Sequence, residues 1–116
     1  MDNNIKIEKS NCIINVDTIL TNNIKEQYKI YVDNRLNCLL SIHEPILNNF
    51  LYINLRMYEI SHIDDILNHI EQIIKGYKKV YIPLNKYNNL CPYLMNHGYE
   101  CNNKYLYGIL FCKKLE

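Results

Sequence analysis

Between Ser61 and Tyr99 the chain passes from a helical repeat to a strand and back to a short helix, an order that points to an α/β domain. Ile63, Ile66, Leu67, Ile70, Ile73 and Ile74 recur at helical spacing, while His62, Asp65, Asn68, His69 and Gln72 face the other way. The stripe predicts an amphipathic helix with one apolar face to bury. Ser61 followed by Asp64 makes a capping-box-like start, and Gly76 supplies an end. Lys78 to Leu84 then reads as a strand. A short helix follows from near Asn89, with Pro92 tolerated in its first turn and Gly98 placed for a left-handed C-terminal cap.

Upstream, Ile5 and Ile7 alternate with Lys6 and Glu8, as in a half-buried strand that Cys12 to Val16 extends or pairs with. Asp17 or Thr18 is placed to cap a helix running to about Tyr28. Tyr28 to Val32, the pair Asp33-Asn34, and Leu36 to His43 read as a β-hairpin, because Asx residues tolerate the left-handed conformation of tight turns. A helix from Thr18 through Arg35 competes with it, since Ile24, Tyr28 and Tyr31 also fit one helical face. Pro45 ends this region, and the next strand runs from Phe50 to about Glu59, with Leu51, Ile53, Leu55 and Met57 on one side. Lys104 to Leu115 is apolar on both faces and reads as a strand within the sheet. The resulting expectation is one α/β (α+β) domain over residues 1–116, a single mixed, mostly antiparallel sheet with helices on both faces.

Composition narrows the function classes. Thirteen Lys+Arg stand against 12 Asp+Glu, a net charge of +1. The basic residues are scattered, which argues against nucleic acid as a partner, because phosphate binding needs clustered positive charge. No apolar run is long enough to span a bilayer, and the N-terminus lacks the apolar core of a signal peptide. The five cysteines form an odd set without a C-x-x-C pair, expected to be reduced thiols in a cytoplasmic protein. Asn, Ile, Lys and Tyr, the residues of AT-rich codons, are abundant and alanine is absent. The 11 tyrosines therefore carry functional meaning only where position supports it.

The order hairpin, long strand, helix, strand, short helix and final strand resembles the GNAT acetyltransferase fold from its second strand onward, over roughly Tyr28 to Leu115. Its local signature is Leu90 to Tyr99, similar to that family's small helix followed by Gly-Phe. The resemblance implies acetyl-coenzyme A held between two diverging strands, with Ser61, His62, Ile82 and Asn89 at the positions that would contact it. Glu59, near the end of the long strand, would be the carboxylate that deprotonates an amine through water.

Two departures stand against that chemistry. The family cradles a pyrophosphate on a glycine loop of the form Q/R-x-x-G-x-G/A at a helix start, whereas Arg56 to Asp65 has no glycine and carries Glu59, Asp64 and Asp65. The position of the family's Tyr general acid falls on Leu94, with Tyr93 one residue away and directed elsewhere.

Other candidate residues have ordinary readings. His62, Asp65 and His69 on one helix flank fit a solvated face as well as a metal or acid-base pair; no metal site is expected. His43-Glu44 fits a turn, and Cys91 and Cys112 lack an evident base. Lys75, Lys78 and Lys79 complement a helix C-terminus. Three functions follow: a GNAT-fold module that binds a protein partner or itself, without cofactor; an acyl-coenzyme-A-dependent N-acetyltransferase with a non-standard loop; or an unrelated small viral or phage accessory protein acting by surface contact.

Overall fold

The computed structural model describes residues 4–10, 24–44, 50–85, 87–104 and 108–115. In chain order these form β1 (Ile5–Lys9), β2 (Ile24–Val32), β3 (Arg35–His43), β4 (Phe50–Met57), α1 (Ile63–Ile73), β5 (Lys79–Asn85), α2 (Cys91–Asn96), β6 (Glu100–Lys104) and β7 (Gly108–Lys114). The strands make one sheet in the order β1-β2-β3-β4-β5-β7-β6. Every pairing is antiparallel except β4 with β5, which α1 connects.

Asp33 and Asn34 set the register of the first half. Both adopt positive φ, 50° and 69°, the two-residue turn whose twist matches that of the strands it joins. The hairpin therefore wins over the helix from Thr18 through Arg35. Because β2 starts at Ile24, it also takes over the last turn of the helix expected to run to Tyr28. The remainder of that helix, and Cys12 to Val16, lie outside the described residues.

Strand alternation then sorts the sheet into two faces. The register aligns Ile30 with Cys38, Leu40 with Leu55, Leu51 with Val80, and Ile82 with Phe111, so these side chains share one face. Ile63, Ile66, Leu67 and Ile70 of α1 and Leu94 of α2 bury against it, joining one continuous core. Both described helices lie on this face, tied to each other and to β7 through Glu71, His97 and Lys113. The opposite face carries a polar row across β2, β3 and β4, where Gln27 faces Ser41 and Ser41 faces Asn54, all three buried.

Element ends differ from expectation where a hydrogen bond decides them. His62, not Ser61, is the N-cap of α1, with no side-chain cap bond, because Ser61 Oγ instead donates to Glu59 Oε1 at 3.2 Å. The short helix starts at Cys91 rather than near Asn89, because Asn88 turns the chain by accepting from Leu90 N at Oδ1, 2.9 Å away. It ends as expected: Gly98, at φ 94°, lets Tyr99 N donate to Leu94 O and Gly98 N to Met95 O. The terminal strand expected over Lys104 to Leu115 is described as β7, Gly108–Lys114, inserted beside β5, while β6, which was not expected as a strand, pairs with it at the sheet edge. Residues 105–107 are not among those described.

Candidate functional site

Strands β4 and β5 pair only over Phe50↔Lys79, Leu51↔Val80 and Tyr52↔Tyr81. Beyond that, each is held on its outer side alone: β3 accompanies β4 to Met57, and β7 accompanies β5 to Asn85. The two parallel strands therefore part after their first turn of pairing, leaving a wedge with facing backbone edges. Pro83 sits in this stretch, in a strand interior where a proline is tolerated only if its missing N–H faces no ladder partner. The wedge is what explains a buried proline with β-structure on both sides of it.

The wedge opens toward the turn from β4 into α1. Ile63 N donates to Ile60 O at 3.1 Å, closing that turn tightly, and no residue from Arg56 to Asp65 is glycine. Asp64 and Asp65 occupy the first turn of α1, where carboxylates favour the helix dipole by about 0.3–1 kcal/mol each. A diphosphate placed at the same helix end would gain a similar amount and lose it again, since each carboxylate about 4 Å from a phosphate oxygen costs about 1 kcal/mol even at the dielectric constant of water. The acids and a phosphate compete for one site. The turn thus differs from the glycine cradle that the resemblance implies for a diphosphate.

Of the residues expected at the site, Glu59 is exposed just past β4 and held by Ser61, which is itself exposed. His62 is half-buried at the start of α1. Ile82 is fully buried beneath the helices, so only its backbone can line the wedge. Asn89 is exposed in the turn before α2. The structure brings Glu59, Ser61 and His62 together at the α1 end of the wedge, while Asn89 belongs to the separate turn after β5. Leu94, the residue on which the resemblance would put the family's Tyr acid, is wholly buried in the core. Tyr93 beside it is 40% exposed on another side of α2.

No family model and no curated protein matches the sequence. Solved structures do. The paiA N-acetyltransferase of Thermoplasma acidophilum, solved in complex with coenzyme A, superposes with a TM-score of 0.62 at 17% identity, over 76% of this chain and 59% of that one. The Campylobacter jejuni N-acetyltransferase PseH matches with a TM-score of 0.62 at 11% identity, over 78% of this chain and 68% of the other. A GNAT-family acetyltransferase of Streptococcus pneumoniae matches with a TM-score of 0.62 at 9% identity, over 83% and 70%. The chain has the GNAT fold. It spans about three fifths of the Thermoplasma enzyme's length. At these identities the likeness is one of fold, and it sets aside an unrelated α/β architecture.

On this GNAT fold the remaining candidates resolve into structure. His69 Nδ1 lies 2.8 Å from the carbonyl oxygen of Asp65, one turn back, and the described residues hold no cluster of three potential metal ligands. His43 is buried at the end of β3 with Nε2 3.0 Å from Ser41 Oγ, and Glu44 pairs with Lys25 Nζ at 3.1 Å. Cys38, Cys91, Cys101 and Cys112 are free thiols. Burial pushes the Cys38 thiol up to about 12 and raises that of Cys91, so neither is poised as a nucleophile. Among the described residues, no helix is long and apolar enough to cross a membrane.

Two features had no signal in the sequence pattern. One is an aromatic cluster on the sheet face opposite the helices, in which the Tyr52 and Tyr81 rings stack at 5.3 Å with Phe50 edge-on to both. The other is an ionic cluster over the helices: Glu71 accepts from Lys113 Nζ at 2.9 Å and Tyr99 OH at 3.2 Å, and lies 3.2 Å from His97 Nε2. Burial, followed by the Glu71 charge, raises the Tyr99 phenol well above its usual range. These partners are 16 to 42 residues apart in the chain.

Proposed function

We propose that this protein is a GNAT-fold module that binds a protein partner or a second copy of itself, without acetyl transfer of the usual kind. One observation carries the reading: the turn from β4 into α1 has carboxylates where the fold's diphosphate cradle needs glycine backbone. Leu94, buried where a thiolate would need its proton, agrees with it. The fold's layers are kept while the glycines and the Tyr acid that the resemblance calls for have no counterpart at the positions it assigns, which supports a scaffold retained for its surface.

The parting of β4 and β5 favours a second reading, an acyltransferase that holds its acyl donor through strand backbone, with Glu59 as the base. Acetyl-coenzyme A separates the two. A ligand that binds only the folded state stabilises it by about 2.7 kcal/mol at 100 times its dissociation constant. Thermal unfolding with millimolar acetyl-coenzyme A is expected to match unfolding without it. A clear rise in the midpoint, absent with acetate alone, would overturn the module reading in favour of the acyltransferase.

A further inference from the structure

His97 closes α2 as its C-cap, and its ring stands between two carboxylates of α1. Nδ1 lies 3.1 Å from Asp64 Oδ1 and Nε2 lies 3.2 Å from Glu71 Oε2. Asp64 and Glu71 are seven residues apart, two helical turns, so both project from one stripe of α1 toward the ring. A neutral imidazole has one N–H and one lone pair. Set between two acceptor-only carboxylates, it bonds one and directs a lone pair at the other; only the imidazolium has a donor for each. The ring side chain is 12% exposed, so little water is at hand to relieve the mismatch.

The two carboxylates are not held alike. Glu71 is fixed by Lys113 Nζ at 2.9 and 3.1 Å and by the Tyr99 hydroxyl at 3.2 Å, and Lys113 also donates to the His97 carbonyl at 3.1 Å. The Tyr99 ring stacks against the imidazole, with centroids 6.3 Å apart. The first and last turns of α2 add no charge of their own. Around His97, then, stand Asp64 and Glu71 from α1, Lys113 from β7, and Tyr99 from the link into β6. Lys113 opposes a second cation beside Glu71, and the Asp64 carboxylate is the group that offsets it. The Asp64 side chain is 71% exposed and has water as an alternative partner, whereas Glu71 keeps two other donors.

We infer that His97 is a proton-operated latch between the first turn of α1 and the end of α2. Protonated, it bonds both carboxylates and ties Asp64 to α2. Deprotonated, it keeps Glu71 and releases Asp64, so the Glu71–Lys113–Tyr99 joint stays while the α1 end is freed. Each opening changes the charge at the first turn of α1. The imidazolium is lost, and Asp64 is left as an unpaired anion. This works whether the wedge takes an acyl donor, a protein or nothing. Only the imidazolium has a donor for each carboxylate, so the Asp64–His97 tie belongs to the protonated ring.

A double-mutant cycle between Asp64→Asn and His97→Gln, read by urea unfolding at pH 5.5 and pH 8.5, tests the latch. At pH 5.5 the coupling is expected to change the unfolding constant about two- to fivefold, as for a well-placed but partly exposed pair. At pH 8.5 it is expected to vanish. Equal coupling at both pH values, or none at pH 5.5, would overturn the inference. Long-range proton–nitrogen NMR of the unmutated protein gives an independent readout, with both ring nitrogens of His97 protonated at pH 5.5 and one at pH 8.5. A ring found neutral at the lower pH, or doubly protonated at the higher, would sink it equally.

Discussion

Replacing Gly98 by alanine tests whether the Gly-aromatic signature after α2 serves the backbone or a ligand. Gly98 has φ 94°, and a methyl group there would meet only the Lys113 side chain, at 3.6 Å to Cε and 3.8 Å to Nζ. Those are ordinary contacts, so the substitution carries no steric term and its cost is conformational. An L-residue in the left-handed region loses about 1–2 kcal/mol. Alanine also narrows the unfolded ensemble, which offsets about 0.4–1 kcal/mol. Because φ lies beyond the centre of that region, near +57°, the net loss should be toward the upper side, about 1–1.5 kcal/mol. For a domain of this size that lowers the midpoint by about 4–8 °C. Gly98→Asn should lose about half as much, because asparagine tolerates positive φ. Urea unfolding with an unchanged m-value is the assay. A neutral Gly98→Ala, or a loss above about 3 kcal/mol, would refute the argument; the first would mean that the cap relaxes at no cost, the second that packing rather than φ fixes the glycine.

Further outcomes follow from the core and the surface. Ile70→Ala, at a fully buried position on the stripe of α1, should cost about 2–5 kcal/mol in the same assay through lost burial and the cavity left behind. In thiol labelling of the native protein at pH 8, exposed Cys101 should react first among the four described cysteines and Cys38 only on unfolding, since Cys38 is wholly buried and its thiol is pushed up to about 12. Hydrogen bonds from Lys25 and then Tyr77 hold the Glu44 carboxyl below the usual range. Its stabilisation is therefore present above the ordinary glutamate range, about pH 4.3, and is lost as pH falls through the lowered value. Glu44→Gln should flatten that part of the acid limb of a stability-against-pH curve; an unchanged limb would show that the exposed pair contributes nothing.

Much of this fold is written in local pattern. The stripe from Ile63 to Ile74 fixed α1 within one residue of its end, the Asx pair fixed the β2–β3 hairpin, and Gly98 fixed the cap of α2. These elements were legible because each depends on side-chain periodicity or on a backbone conformation that few residue types accept. The ends that went astray, Ser61 at α1 and Asn89 at α2, depend on which of several nearby polar side chains takes a given backbone or carboxylate partner. Neighbouring candidates of equal chemistry, such as Ser61 and His62 or Asn88 and Asn89, give a sequence no means of choosing. Strand β6 had no strand signal because its residues, Glu100-Cys101-Asn102-Asn103-Lys104, are mostly poor strand formers, and pairing with β7 rather than propensity makes it a strand.

The candidate site divides along the same line. By itself the sequence determined that the stretch from Arg56 to Asp65 is glycine-free and acidic and that position 94 is a leucine, because those are statements about residue identity. Only the tertiary structure decided that β4 and β5 part after three pairs, since that depends on β3 and β7 anchoring them on opposite sides. Only it brought His97, Asp64, Glu71, Tyr99 and Lys113 together. A sheet aligns residues by strand order rather than chain order, and the ionic joint between the helices forms where α1, the end of α2 and β7 cross, a coincidence in space that no spacing in the chain records.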